Sequence, residues 1–199
     1  MSNWLTSRYR VSVNRGLINK NELGDTRSFA EGWENCELTP GELAEFISNG
    51  VAYCAELHGP RRGSNFSATG FLSVDIDGSR RLVDAVHDPF INQHATIIYT
   101  TRNHTEEENR FRIVFALEEP IVDANEMRLA TRSLALRLGG DPAVADPSRL
   151  FFGNRGCSIS LYANGLSAAQ VKELIVQSKG VEDADSPAIR DAPTSTAPF

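Results

Sequence analysis

The sequence predicts an α+β domain. Strand-like runs and helical patterns are interleaved without the strict strand-helix alternation of a doubly wound sheet, and two long strands, ATIIYTT and RFRIVFALEE, are separated only by the acidic turn NHTEEEN. Strands joined by so short a turn pair side by side, which a wholly parallel sheet does not allow.

The elements follow in order. RYRVSV, residues 8 to 13, has strand character, and LTPGELAEFISNG opens a helix at Thr39-Pro40 and stops it with glycine. VAYCAEL reads as the next strand. A polar loop holding Arg61, Arg62, Gly63 and Ser64 leads into GFLSVDID, a β-rich apolar run that ends abruptly on two aspartates. A helix is expected around residues 79 to 93, before the two strands and their turn. Asp123 then caps an amphipathic helix with apolar residues at 127, 129, 130, 134, 136 and 138, which Gly139-Gly140 terminates. RLFFG and CSISLY read as short strands, and SAAQVKELIVQS as a last helix.

With 199 residues, 41% hydrophobic and 23% charged, the chain is long enough for one folded domain with a substantial core. No apolar run reaches the length of a membrane span, and the first twenty residues lack the apolar stretch of a signal peptide, so a cytoplasmic protein is expected. Cys36, Cys54 and Cys157 are odd in number and widely spaced, which predicts reduced thiols. The net charge of -6 excludes a protein that coats nucleic acid by bulk charge. Residues 180–199 carry four acids against Arg190, half of that charge, in a Pro-, Ser- and Thr-rich segment that reads as a disordered acidic tail or linker after a folded body of residues 1–179.

The chemistry begins at Asp75-Ile76-Asp77. Side chains alternate along a strand, so both carboxylates share one face while Ile76 turns to the core. Paired hard oxygen donors suit Mg²⁺ or Mn²⁺, which also grip the phosphate oxygens of a substrate; the plainer reading is a solvated strand end. Asp141 and Asp146, both before proline in GGDPAVADPSRLFF, are candidates for a third carboxylate or simple turn residues. His104 stands at a strand end with Arg102 before it and Arg110 and Arg112 on one face of the returning strand. That set suits a triphosphate, or else a solvated hairpin whose arginines neutralise Glu106, Glu107 and Glu108. Arg61, Arg62 and Gly63 offer a phosphate-contacting loop, Arg149 a further guanidinium near Asp146, and Phe66, Phe71 and Tyr99 aromatic faces better suited to a core than to base stacking. His58, His87 and His94 have no motif around them.

In their order these pieces resemble the archaeo-eukaryotic primase superfamily, especially bacterial, plasmid and phage primase-polymerases. FLSVDID resembles its metal-binding D-x-D strand, Tyr99 to His104 with RFRIVF its nucleotide-contacting histidine motif, and Asp146 in VADPSRLFF, or Asp141 in LGGD, its third aspartate. The likeness spans roughly residues 40 to 165. Arg102 stands where the family often has a small residue, and Ala145 and Gly140 precede the two aspartates where it has an apolar one, so both aspartates stay open.

The resemblance implies an RNA-recognition-motif-like sheet with flanking helices, acting as a template-directed nucleotidyltransferase on single-stranded DNA. Asp75, Asp77 and Asp146 would hold two Mg²⁺ or Mn²⁺ ions. His104, with Arg110, Arg112, Arg149 and Arg62, would hold the nucleoside triphosphate. Initiation without a primer implies help from a helicase or a further C-terminal domain. The alternative is a non-catalytic nucleic-acid-binding module of replication initiation. A rolling-circle nuclease would need a paired-histidine motif, and no H-x-H occurs.

Overall fold

The structure is a computed structural model that describes residues 3–18, 29–142 and 146–185, with side chains to residue 180. Its elements are β1 (Tyr9–Ile18), β2 (Glu34–Leu38), α1 (Pro40–Ser48), β3 (Val51–Cys54), β4 (Glu56–Leu57), β5 (Phe66–Asp77), α2 (Leu82–Val86), α3 (Pro89–His94), β6 (Ile97–Thr100), β7 (Arg110–Ile121), α4 (Ala124–Leu138), β8 (Ile159–Leu161) and α5 (Ala168–Asp185). The mixed α+β prediction holds. Two sheets form, one in the order β2-β1-β3 and the other β4-β5-β7-β6-β8.

The larger sheet positions the site. β5 and β6 both run antiparallel to β7, which lies between them, and the chain passes from β5 to β6 through α2 and α3. This split β-α-β arrangement, followed by α4, gives the core of a recognition-motif-like sheet. The remaining place beside β5 is filled by β4, which precedes it in the chain.

Both faces of this sheet are covered, which is why β5 and β7 read as nearly unbroken apolar runs. Leu72, Val74 and Ile76 of β5 and Phe111, Ile113 and Phe115 of β7 pack against Leu134 and Leu138 of α4 and Leu174 of α5. Phe71, Val114 and Ala116 point the other way, into a second core with Tyr9, Val11 and Val13 of β1 and Leu43 and Ile47 of α1. On that second face the paired residues change along the strands. Phe71 faces Ala116, Ser73 faces Val114, Asp75 faces Arg112 and Asp77 faces Arg110, so an apolar interior gives way to opposed charges at the strand ends.

Local chemistry sets the helix ends. Thr39 and Glu42 form a reciprocal capping box, with the Glu42 amide donating to Thr39 Oγ1 at 3.2 Å and the Thr39 amide to Glu42 Oε2 at 2.8 Å. Asp123 accepts from the Glu126 amide at 2.8 Å, and Gly139 closes α4 with φ of 82°, a left-handed turn that glycine adopts without strain.

The strand β2 was not expected, and four further elements differ from the sequence reading. The single helix expected over 79 to 93 is two short ones, because Pro89 cannot continue a helix while Asp88 caps the next, accepting from the amides of Phe90 and Ile91. VAYCAEL divides at Ala55, so β3 joins the small sheet and β4 the large one. RLFFG contributes only a bridge between Phe151 and Tyr53. The last helix runs on to Asp185, six residues into the segment read as tail; residues 186–199 lie outside the described residues. Among the described residues no helix is long and apolar enough to cross a membrane.

Candidate functional site

β5 ends by presenting Asp75 and Asp77 at the junction of two cavities of about 320 and 370 Å³, and Arg149 borders both as well. Ile76, between the aspartates, is fully buried as the alternation requires. The first cavity continues past Ser79, Gly139, Gly140 and Asp141, along the end of α4. Its neighbour is basic, with Arg102, Arg110 and Arg112 on its wall together with Arg149. A third, more open depression shares Thr101 and Arg102 with that basic cavity and holds His104, Asn154 and Arg155. Acidic and basic walls thus follow one another along one side of the sheet.

Asp75 is held from two sides. Arg112 donates from Nε to Asp75 Oδ1 at 2.5 Å and pairs with the same oxygen through Nη2, while Arg149 Nη2 reaches Asp75 Oδ2 at 2.8 Å. Burial alone would raise the Asp75 pKa; the Arg112 charge and the bond from Arg149 more than offset it and hold the carboxyl below its ordinary value. Asp75 is therefore an anion at neutral pH.

Behind this pair lies a buried polar network. Arg112 Nη1 donates to the Tyr99 hydroxyl and to the Phe152 carbonyl, at 3.0 Å in the second case; Tyr99 Oη donates to Tyr53 Oη at 3.4 Å, and Tyr53 Oη lies 3.0 Å from Ser73 Oγ. The guanidinium also stands 4.6 Å from the Phe151 ring centroid. Desolvation works against the Arg112 charge, but the Asp75 carboxylate together with Tyr99 and Tyr53 more than offsets it, keeping the guanidinium above its ordinary pKa. Arg112 was expected to reach a triphosphate. Instead its side chain is only 10% exposed and its donors are committed inside the fold, although its edge still forms part of the basic cavity.

Arg110 keeps closer to the expected role. It borders the basic cavity, half-buried, pairing with Glu108 Oε1 at 2.5 Å and lying 3.5 Å from Asp77 Oδ1, so one turn glutamate is neutralised as the solvated-hairpin reading required. His104 accepts the Arg110 amide at Nδ1, 3.0 Å away. An Nδ1 that accepts leaves the ring proton on Nε2, a donor suited to a phosphate oxygen.

The third carboxylate is where the sequence left a choice. Asp141 borders the cavity shared by Asp75 and Asp77, whereas Asp146 folds onto Ser148, accepting its amide at 2.8 Å and its hydroxyl at 3.0 Å in an Asx-type turn. Asp146 Oδ1 also lies about where Gly63 passes, 3.6 Å from the position of a Cβ there. Arg61 fixes this turn by donating to the carbonyls of Ser148 and Phe29, both at 2.9 Å, so it is a structural residue. Arg62 is exposed on the same loop, apart from the two cavities that meet at Asp75. Among the described residues no three His, Cys, Asp or Glu side chains stand together closely enough to hold an ion. The oxygen donors of Asp75 and Asp77 nonetheless suit a hard divalent cation, because Mg²⁺ is commonly held by one or two carboxylates and completed by water and substrate phosphate.

Phe71 and Tyr99 are buried in the core, and Phe66 packs against it, as their places in apolar strands suggested. Tyr53, Ser73 and the Phe152 carbonyl were not anticipated. The alternation of β5 could have placed Ser73 with Asp75; the rest depends on strands brought together only by the fold.

No family model and no curated protein sequence matches the chain. Among solved structures, the archaeo-eukaryotic primase (AEP) domain of the cyanophage S-2L primase-polymerase aligns with a TM-score of 0.51 at 10% identity, covering 85% of this chain and 89% of that one. The catalytic domain of primase Repb', in complex with initiator DNA, aligns with a TM-score of 0.45 at 15% identity, covering 89% of each chain. With its split β-α-β sheet and flanking helices, the chain shares the fold of the AEP domain of the S-2L primase-polymerase.

Proposed function

We propose that the protein is a template-directed nucleotidyltransferase that makes or extends primers on single-stranded DNA. The observation that carries this reading is the placement of Asp75 and Asp77 at the mouth of an arginine-lined cavity that leads on to His104. Nucleotidyl transfer needs anionic oxygens to hold divalent metal and cationic donors to hold phosphate, set side by side.

In this reading Asp75 and Asp77 hold a divalent cation, with Asp141 bordering the same space. When bound, Mg²⁺ or Mn²⁺ would supply charge neutralisation on the triphosphate and acidify the attacking 3′-hydroxyl. The chain's own residues do the remaining work. His104 donates from Nε2 to a phosphate oxygen, Arg110 and Arg149 present guanidiniums to the same group, and Arg102 lies between the two depressions where the polyphosphate enters. Arg112 acts indirectly, fixing the Asp75 carboxylate in place from within the fold.

The direct test is binding of a labelled nucleoside triphosphate with and without Mn²⁺. Metal-dependent binding that Asp77→Asn abolishes supports the enzyme. Binding of single-stranded DNA with no metal-dependent nucleotide binding would replace it with the non-catalytic replication-initiation module.

A further inference from the structure

Asp75 carries two guanidiniums, and they are not equivalent. Arg112 is nearly enclosed, its Nη1 shared between the Tyr99 hydroxyl and the Phe152 carbonyl and its plane over the Phe151 ring. Arg149 is 32% exposed, reaches Asp75 through Nη2 alone, lies 5.7 Å from the Phe151 centroid and stands on an irregular segment outside any strand or helix. It borders both the acidic and the basic cavity. Arg112 occupies Oδ1; Arg149 occupies Oδ2, the oxygen a metal ion would need.

We propose that Arg149 is an exchangeable stand-in for the divalent cation on Asp75, released to the phosphates when a nucleotide arrives. This rests on the nucleotidyltransferase reading and adds to it an order of events. A doubly charged ion on Oδ2 would meet a guanidinium at hydrogen-bond distance, so the ion is disfavoured while Arg149 stays. A triphosphate entering the basic cavity offers Arg149 a stronger, bidentate acceptor and frees Oδ2. Metal and nucleotide then favour each other's binding, by equal factors in each direction. Asp75 is never left without a cationic partner, because Arg112 remains.

The experiment counts free Mn²⁺ by electron paramagnetic resonance over the full chain, with and without a non-hydrolysable nucleoside triphosphate, after subtracting the Mn²⁺ that the analogue holds in the absence of protein. The wild type is expected to bind Mn²⁺ weakly alone and about tenfold or more tightly with the analogue, a size typical of coupled sites. Arg149→Gln should bind Mn²⁺ alone several-fold more tightly than the wild type and lose most of the enhancement, and Arg149→Lys, which restores the charge, should return toward the weak wild-type value. A purely structural Arg149 would give the opposite sign. If Arg149→Gln binds Mn²⁺ alone no more tightly than the wild type, the stand-in role is wrong while the enzymatic reading survives. If the wild type binds no Mn²⁺ even with the analogue present, both fall together.

Discussion

Asp75 and Arg112 face each other across the β5–β7 pair, and Arg112 Nε donates to Asp75 Oδ1 at 2.5 Å. The contact joins stability to function, because the carboxylate proposed to hold metal also neutralises a guanidinium that the fold encloses. Asp77, two residues on, has no such duty: its side chain is 66% exposed. Asp75→Ala should therefore destabilise the protein by about 3–5 kcal/mol, the usual result of stranding one member of a buried pair. Asp77→Ala should change stability by no more than about 0.5 kcal/mol while abolishing activity. Urea unfolding of the two variants separates the roles.

Acid should act on the same contact. The Asp75 pKa is lowered in the folded state, so its contribution to stability is complete above the ordinary carboxylate value of about 3.9 and is lost as pH falls through the lower folded value. Glu42, Asp84 and Asp88 are held low as well and add their own acid dependence. The informative quantity is the difference between wild type and Asp75→Asn, which should shrink as the pH drops below about 4. Thermal melts from neutral to strongly acidic pH measure it.

His104 is tied to the Arg110 amide by one hydrogen bond in a half-buried turn, so its removal costs the fold little. His104→Ala should raise the KM for nucleoside triphosphate about 10- to 100-fold, the value of a hydrogen bond to a charged group, with a smaller effect on kcat and an unchanged melting temperature. Steady-state kinetics across nucleotide concentration give the answer.

Gly140 passes so close to β5 that a Cβ there would lie 2.8 Å from both the Asp75 carbonyl oxygen and Val74 Cγ1. Neither atom is the free end of a flexible side chain. Gly140→Ala should cost about 1–3 kcal/mol and lower activity with it, since the strand that must shift carries both candidate metal ligands. Denaturant midpoints and turnover on the same samples show whether the two losses travel together.

Much of this was legible in the sequence. Alternation alone placed Asp75 and Asp77 on one face and Ile76 in the core, and Asp123 and Gly139 marked the ends of α4. What alternation cannot show is which strand lies opposite. Arg112 shares a face with Arg110, and both read as phosphate ligands until the register sets Arg112 against Asp75 and the tyrosine hydroxyls behind it enclose them both. Asp141 and Asp146 both precede a strand-like run, and only the resemblance favoured Asp146 as a metal ligand; in the structure Ser148 donates to Asp146 in a local turn, while Asp141 borders the cavity beside Asp75 and Asp77. The division of VAYCAEL between two sheets is marked by no turn residue, and only the part-buried Glu56 sets β4 apart from the buried β3.

Nucleotidyl transfer is tested most simply by synthesis of a labelled product on unprimed single-stranded DNA, with nucleoside triphosphates and Mg²⁺ or Mn²⁺, comparing the wild type with Asp77→Asn. That variant leaves the Asp75–Arg112 pair intact, so a loss of product reports chemistry rather than folding. Metal-dependent product is expected from the wild type and none from the variant. Equal product from both, or none from the wild type on primed and unprimed templates alike, would contradict the proposed function.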